Sequence, residues 1–273
     1  MKRLLAFAGL FVVCGCVSEI ESDETEPGET EGTTQATKSA IVAGTVPSAS
    51  DNLAKKVVKI SAWNPDKGAY QLCSGTAITS TWVLTASHCI HPNWHAWVAV
   101  YNNDNLNQTY FWATNVIHHP LAAPWDVIQT GYLDAALIEL STPLTGPTQG
   151  WNASPTVSDG QSLKCYGFGV YTENGANGGV KRMATMSVGS SLGDPQEPWM
   201  LPDYRRYKIY KNSGGQIQAE GDSGGPCFDF WTGTQTGVQS TVVRPVGSVT
   251  IIYAEQVKFN TIRQWVIDTI AGP

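Results

Sequence analysis

The heptapeptide Glu220-Gly221-Asp222-Ser223-Gly224-Gly225-Pro226 decides how the rest of this chain is interpreted. A serine flanked by glycines suits a nucleophilic site, because glycine lets the backbone turn tightly and lets a substrate come close to it. The amides of Gly221 and Ser223 can then point at one spot where a carbonyl oxygen gains charge. The alternative is a Gly-rich hairpin turn with an incidental serine, so the hypothesis requires a base and a carboxylate elsewhere in the chain.

Two other segments supply these partners. Ser87-His88-Cys89 follows a predicted strand, and a histidine beside a half-cystine is held firmly, as a general base must be. The apolar segment 133–140 contains Asp134 at its start, and a carboxylate that enters a buried strand needs a partner such as a histidine N–H. Taken singly, His88 could be a capping or core histidine and Asp134 a strand-initiating aspartate.

Composition indicates an all-β protein. The 273 residues suffice for one large or two modest β-domains, and 42% of them are apolar while only 15% are charged. The chain has 27 glycines and 15 prolines, and clusters of Ser, Thr and Asn separate short apolar runs. The net charge of −6, without a basic patch, gives no reason to expect nucleic acid as a partner.

The amino-terminal segment 1–16 is predicted to be an export signal. Lys2-Arg3 precedes an apolar run that is too short to span a bilayer as a helix. Val13-Cys14-Gly15-Cys16 looks like a bacterial lipobox, which predicts a lipid on Cys16 and anchoring at a membrane surface; an ordinary signal peptide is the alternative. Residues 17–40 are acidic and almost free of apolar side chains, so we expect a disordered tether or propeptide.

Four cysteines remain beyond this segment, and in an exported protein an even number predicts disulfides. They are Cys73, Cys89, Cys165 and Cys227, whose spacing alone permits three pairings. Cys73 and Cys89 flank a strand–turn–strand segment, and closing that loop would stabilise the fold by about 3 kcal/mol. Metal ligation is the alternative, but no CxxC accompanies these residues, and the HxxxH spacing of His91 and His95 contains Pro92, which breaks a helix, and has no carboxylate cluster beside it. Neither a metal nor a cofactor is predicted.

Alternating apolar residues predict short strands along the chain, and one helix is predicted at its end. The helix is expected over 260–270, with Asn260 as its cap and Gly272 after it. The Pro- and Gly-rich stretch 141–160 reads as the connection between two β-domains. The predicted strands cover 57–62, 69–78, 82–86, 97–101, 110–117, 133–140, 162–170, 180–188, 206–210, 237–243 and 248–257.

With these elements in place, the chain closely resembles the trypsin/chymotrypsin family of serine endopeptidases over residues 41–272. The resemblance implies two six-stranded antiparallel β-barrels, at about 41–145 and 155–257, and a carboxy-terminal helix at about 259–271, within one domain that covers 41–273. The order His, Asp, Ser along the chain is also that of chymotrypsin. The motifs that carry the resemblance are Ile41-Val42-Ala43-Gly44, Cys73-Ser74-Gly75-Thr76, Thr85-Ala86-Ser87-His88-Cys89, Asp134-Ala135-Ala136-Leu137 and Gly221-Asp222-Ser223-Gly224-Gly225-Pro226.

The resemblance implies a role for each of these residues. Ser223 would be the nucleophile, His88 the general base and later general acid, and Asp134 the carboxylate that orients His88. The amides of Gly221 and Ser223 would form the oxyanion hole. Asp222 would pair with the α-amino group of Ile41 after proteolytic activation; the alternative is that it only caps its own turn.

Three departures from the family pattern affect activation and specificity. Ala40 precedes Ile41, so trypsin-like cleavage at Lys38 would not free Ile41, and another protease, self-cleavage or trimming is required. Ile217 stands where trypsin-like enzymes carry an aspartate. With Ser240 and Val242 as the pocket wall, the chain is expected to prefer a small or medium apolar residue before the scissile bond.

The cysteines also differ from the usual pattern. The resemblance implies a Cys165–Cys227 bridge, because each cysteine is displaced by two residues in opposite directions and such shifts cancel in an antiparallel pair. The bridge that the family usually has near the specificity pocket is absent, since Ala219 holds one of its positions. We therefore expect looser pocket loops.

The sequence thus predicts an exported, monomeric serine endopeptidase of the bacterial cell envelope, or a secreted one, that acts on protein or peptide substrates through an acyl-enzyme. The alternative is a catalytically silent domain of the same fold that serves as a binding module.

Overall fold

The structure is a computed structural model that describes residues 41–64, 68–91, 98–101, 110–122, 133–151, 156–173, 175, 178–193 and 203–272. The predicted signal segment, Cys16, the acidic tether and Ala40 lie outside the described residues. No helix among the described residues is long and apolar enough to cross a membrane.

The first half of the domain forms a closed six-stranded antiparallel barrel in the order β1-β2-β3-β6-β5-β4. Buried side chains alternate along β1, as expected for a strand with one face on the core. Residues of β1, β2, β3, β5 and β6 fill the barrel with a single apolar cluster. The strands are β1 (Val57–Asn64), β2 (Ala69–Ala77), β3 (Trp82–Thr85), β4 (Val98–Tyr101), β5 (Tyr110–His118) and β6 (Ala136–Leu140).

The second half repeats this architecture in the order β10-β11-β12-β9-β8-β7. The segment between the barrels runs from β6 to β7 and agrees with the predicted connection over 141–160. The prediction of two six-stranded barrels is therefore confirmed. The strands are β7 (Ser162–Gly167), β8 (Arg182–Ser190), β9 (Arg206–Tyr210), β10 (Pro226–Asp229), β11 (Gln235–Val243) and β12 (Tyr253–Lys258).

Two strand predictions in the second barrel were wrong. The sequence did not predict β10, whose four residues directly follow the glycines of the serine loop. The last strand begins at Tyr253 rather than Ser248, because Ser248 donates its amide to the carbonyl of Pro245 in a turn. Gly247 has a φ of 76°, which also breaks the strand geometry.

The carboxy-terminal helix α1 spans Phe259–Ala271 and ends at Gly272, whose φ of 71° matches its predicted position after the helix. The predicted Asn cap was wrong: Lys258 occupies the cap position and Asn260 lies inside the helix. Phe259 is buried in the core that the helix forms with both barrels, and this packing starts the helix one residue early.

The two barrels pack directly on each other. Tyr166, Phe168 and Phe228 of the second barrel share a buried cluster with Ala54 and Val57 at the start of the first. Helix α1 covers the other side, where its apolar residues join those of β3, β6, β11 and β12. Strand β2 of the first barrel contacts β7 and β10 of the second as well as the turn that follows β3, so these elements meet at one junction between the barrels.

Candidate active site

His88 is held in a short 3₁₀ turn, Ser87–Cys89, directly after β3. Asp134 approaches it from the segment before β6 and makes two contacts with it. One carboxylate oxygen, Oδ1, accepts the backbone N–H of His88 at 3.0 Å, and the other, Oδ2, lies 2.7 Å from the imidazole Nδ1. The first contact fixes the carboxylate on the backbone, and the second leaves Nε2 as the ring nitrogen that can exchange a proton with a nucleophile.

Asp134 is buried and is nevertheless kept ionised. Burial acts to raise the pKa of Asp134, but the charge of His88 and hydrogen bonds from His88 and Ser240 outweigh it and hold that pKa well below its usual range. The hydroxyl of Ser240, on β11, donates to Oδ2 at 2.7 Å. The sequence placed Ser240 in the pocket wall and did not predict this contact, because β11 belongs to the other barrel.

The backbone of Ser223 is anchored to the first barrel through one residue, Ser74 on β2. The amide of Ser74 donates to the carbonyl of Ser223 at 2.8 Å, and its hydroxyl donates to the carbonyl of Gly221 at 2.9 Å. The same hydroxyl accepts the amide of Phe168 at 2.9 Å. A strand of one barrel thereby positions the serine loop of the other, close to His88.

Glycine is required at two positions of this loop. Gly221 has a φ of 85°, and a Cβ there would lie 2.7 Å from the Cα of Gly169. Gly224 has a φ of 79°, and a Cβ there would lie 2.3 Å from the carbonyl oxygen of Ser74. Among the described residues, the amides of Gly221 and Ser223 donate to no acceptor. Both N–H groups can therefore donate hydrogen bonds to a substrate carbonyl.

Asp222 points into the second barrel and is fully buried. Burial raises the pKa of Asp222 to about 7, the nearby charge of Glu220 adds to the rise, and hydrogen bonds from the amides of Ala219, Gly169 and Ile41 oppose it. The predicted pairing of Asp222 with the α-amino group of Ile41 belongs to the cleaved chain and stays a prediction. In the intact chain the contact is made by a neutral amide, and Ile41 is buried with a φ of 54°.

The residues predicted to form the specificity pocket lie in an apolar environment. Ile217 is fully buried and packs in one cluster with Val242, Ile251 and Ala254. Its carbonyl accepts the amide of Val42 at 3.0 Å. Ile251 was not singled out as a pocket residue, since the sequence pattern assigned it to the predicted strand 248–257, whereas it lies in the loop before β12.

Both predicted disulfides form, Cys73–Cys89 and Cys165–Cys227. Cys165 and Cys227 are directly opposite each other in the β7–β10 pair, as the cancelling shifts required. In the part of the chain that the structure describes, the one cluster of potential metal ligands is Cys73, His88 and Cys89. Its two sulfurs are bonded to each other and cannot bind a metal as thiolates.

A second histidine lies behind the His–Asp pair. His118, at the end of β5, has its Nδ1 2.7 Å from the hydroxyl of Ser87. Burial lowers the pKa of His118, the charge of Asp134 raises it and that of His91 lowers it. The sequence did not predict this contact, which depends on the pairing of β5 with β6.

A His–Asp pair from one β-barrel and a glycine-flanked serine from the other, at the junction of the two, define the class of two-barrel serine peptidases with the trypsin-like fold. The protein-family model for Trypsin matches residues 47–266. The chain therefore belongs to the trypsin family.

Individual relatives are similar at low identity. The chain is 26% identical to the snake venom serine protease HS114 of Bothrops jararaca over 73% of this chain and 78% of that protein. It is 28% identical to an uncharacterized peptidase of Corynebacterium glutamicum (strain R) over 57% of this chain and 49% of that protein. It is 33% identical to the anionic trypsin of Bos taurus over a shorter stretch, 27% of this chain and 29% of that protein.

Proposed function

We propose that this chain is a serine endopeptidase that hydrolyses peptide bonds through an acyl-enzyme. His88 takes the proton of the Ser223 hydroxyl as the hydroxyl attacks the substrate carbonyl, and later returns a proton to the leaving amine. Asp134 orients the imidazole and stabilises its charged form. The amides of Gly221 and Ser223 stabilise the oxyanion, and losing such a donor typically costs about 2.7–4 kcal/mol of barrier lowering.

The observation that carries this proposal is the two-point contact of Asp134 with His88. One oxygen accepts the backbone amide at 3.0 Å and the other lies 2.7 Å from Nδ1, with a third hydrogen bond from Ser240. A carboxylate that only began a strand would need no such buried set of donors. The arrangement fixes the tautomer that a general base requires.

Labelling of the exported protein with a fluorophosphonate tests the proposal, with Ser223→Ala as the matched control. We expect label on the wild type alone, on a chain whose amino-terminal sequence begins at Ile41. An unlabelled chain that begins at Ile41 would refute the peptidase and favour a silent binding domain.

The proposal includes specificity for a small or medium apolar residue before the scissile bond, and the packing around Ile217 supports it. Ile217, Val242 and Ile251 occupy this region with apolar side chains, so a basic substrate side chain would lose its hydration without meeting a counter-ion. Ile217→Asp should shift cleavage toward Lys or Arg in a peptide library, with Ile217→Asn as the uncharged control. Unchanged cleavage after both substitutions would exclude Ile217 from the pocket.

Activation is proposed to occur by cleavage before Ile41. The new ammonium group would occupy the place where the Ile41 amide now contacts Asp222, and it would bring a positive charge to a buried carboxylate. Because Ala40 precedes the bond, the activating enzyme, or the chain itself, must accept a small residue there.

Export and attachment to the bacterial cell envelope through a lipid on Cys16 complete the proposal. Two signals favour it, the short apolar run and the lipobox-like Val13-Cys14-Gly15-Cys16. Cys16→Ser should release the protein from the membrane fraction, whereas Cys14→Ser should not. Unchanged partitioning of the Cys16→Ser protein would refute the anchor.

A further inference from the structure

Arg244 joins three separate segments beside the serine loop. Its guanidinium forms a two-pronged ion pair with Glu220, in which Nη1 faces Oε1 and Nη2 lies 2.8 Å from Oε2. Its Nε donates to the carbonyl of Val249 at 2.9 Å, and Nη2 also reaches the carbonyl of Glu173 at 3.5 Å. The side chains of Arg244 and Glu220 are only 14% and 10% exposed, so water screens this pair little.

Glu220 directly precedes the residue that presents the first oxyanion-hole amide. The carbonyl of Glu220 and the N–H of Gly221 belong to the same peptide plane and point in opposite directions. The amide of Val170 holds that carbonyl at 2.8 Å, and the Ser74 hydroxyl holds the next carbonyl, that of Gly221, at 2.9 Å. These two bonds do not restrain the Cα of Glu220. It precedes a glycine, whose backbone rotates more freely than that of other residues.

We propose that Arg244 is a positioning residue for the oxyanion hole. Its ion pair with the carboxylate of Glu220 fixes the Glu220–Gly221 peptide and connects that peptide to the segment from Arg244 to Val249. This inference rests on the proposed function. A bidentate guanidinium–carboxylate pair restricts both partners to one geometry, which a single hydrogen bond does not. The pair connects Glu220 to the loop after β11. The looser pocket loops expected from Ala219 in place of a cysteine stay a prediction.

Charge balance gives the pair a second effect on the same loop. The carboxylate of Glu220 lies close enough to raise the pKa of the buried Asp222. Arg244 compensates this negative charge where it arises. Without the guanidinium, two carboxylates two residues apart in the chain would repel each other and the loop would open.

The test measures kcat and KM of the chain that begins at Ile41 with an alanine-terminated peptide substrate, in wild type, Arg244→Gln, Glu220→Gln and the double variant. Removing an oxyanion donor outright costs about 10²–10³ in kcat, so loosening one is expected to lower kcat about tenfold, with KM changed less than threefold. Because the two residues act as one unit, the double variant should lose no more than either single variant. Arg244→Lys keeps the charge without the fork and should fall between wild type and Arg244→Gln.

A second readout separates positioning from general weakening of the fold. A peptide aldehyde that ends in alanine forms a hemiacetal with the serine, and the hemiacetal oxygen binds in the oxyanion hole. The corresponding peptide acid forms no such adduct, so its affinity depends less on the oxyanion hole. Arg244→Gln should weaken the aldehyde by about the same factor as kcat and leave the acid within about twofold. Arg205→Gln is the matched control, because Arg205 forms an ion pair with Asp203 at 3.0 Å and, among the described residues, forms no hydrogen bond or ion pair with Glu173, Glu220 or Val249.

The outcomes separate the proposed peptidase function from the positioning role of Arg244. Wild-type chain without activity or fluorophosphonate label would overturn the proposed function and this role with it. Three outcomes with an active wild type would overturn the positioning role alone. They are a kcat of Arg244→Gln within twofold of wild type, an aldehyde affinity that does not change in parallel with kcat, and an equal loss of kcat in Arg205→Gln.

Discussion

The buried carboxyl of Asp222 should make the uncut chain less stable as the pH rises from about 4 to about 7. Burial raises its pKa from 3.8 to about 7, so over this interval the unfolded chain ionises this group while the folded chain keeps it protonated. The folded pKa is the higher one, and its contribution to stability is therefore complete below pH 4 and lost as the pH rises through 7. At about 1.36 kcal/mol per pH unit, the loss amounts to about 4 kcal/mol.

The assay is urea unfolding of the uncut chain at pH 4 to 7.5 in a Ser223→Ala background, with and without Asp222→Asn. Since asparagine does not titrate, the difference in unfolding free energy between the two proteins isolates this one group. The stability of the aspartate protein relative to the asparagine protein should fall by about 4 kcal/mol across the interval. Asp268→Asn, which removes an exposed carboxylate on α1, serves as the control and should leave the profile unchanged.

In the chain that begins at Ile41, the difference in unfolding free energy between the aspartate and asparagine proteins should have the opposite sign. There the α-amino group supplies a positive charge beside Asp222, and removing one partner of a buried ion pair costs about 3–5 kcal/mol. Asp222→Asn should then destabilise the protein throughout pH 5–7. A flat difference in the uncut chain, or the same sign in both chains, would refute the reasoning.

Two further outcomes are expected. Gly224→Ala should destabilise the fold by well over the roughly 1–2 kcal/mol that a positive φ costs an alanine, because the added Cβ would lie 2.3 Å from the carbonyl of Ser74. Gly247→Ala has a similar φ of 76° with nothing within 4 Å and should cost only that amount; equal losses in urea unfolding would contradict the overlap. Ser240→Ala removes a donor to the Asp134 carboxylate, which should then stabilise the charged imidazole of His88 more strongly, so the acid limb of kcat/KM should move to higher pH. That limb should stay in place in Thr241→Ser, whose hydroxyl does not contact Asp134; an unmoved limb in Ser240→Ala would contradict its role.

Much of the fold and the location of the candidate site could be predicted because they depend on short contiguous motifs. The segments around His88, Asp134 and Ser223 each combine a strand end with the residue type that the chemistry needs. The strand pattern predicted an all-β protein, and the resemblance to the trypsin/chymotrypsin family implied the two barrels. The opposition of Cys165 and Cys227 could be predicted because antiparallel pairing makes equal and opposite shifts cancel.

What the sequence did not predict depends on contacts between distant segments. Ser240 bonds Asp134 across the barrel junction, and Arg244 meets Glu220 24 residues away, so no local pattern marks either contact. The start of α1 was misplaced because an asparagine favours the cap position locally, whereas burial of Phe259 decides where the helix begins. Packing outweighs capping preference in such a case.

Because of the contacts of Ser74, the packing of the two barrels against each other also positions the backbone of Ser223. The carbonyl of Ser223 and that of Gly221 are satisfied by a strand of the opposite barrel, not by their own. If the barrels separate by about an ångström, both bonds are lost while the apolar cluster inside each barrel stays intact. Hydrolytic activity should therefore be lost on heating before either barrel unfolds. A ligand that binds between the barrels and separates them would inhibit the protein without contacting His88.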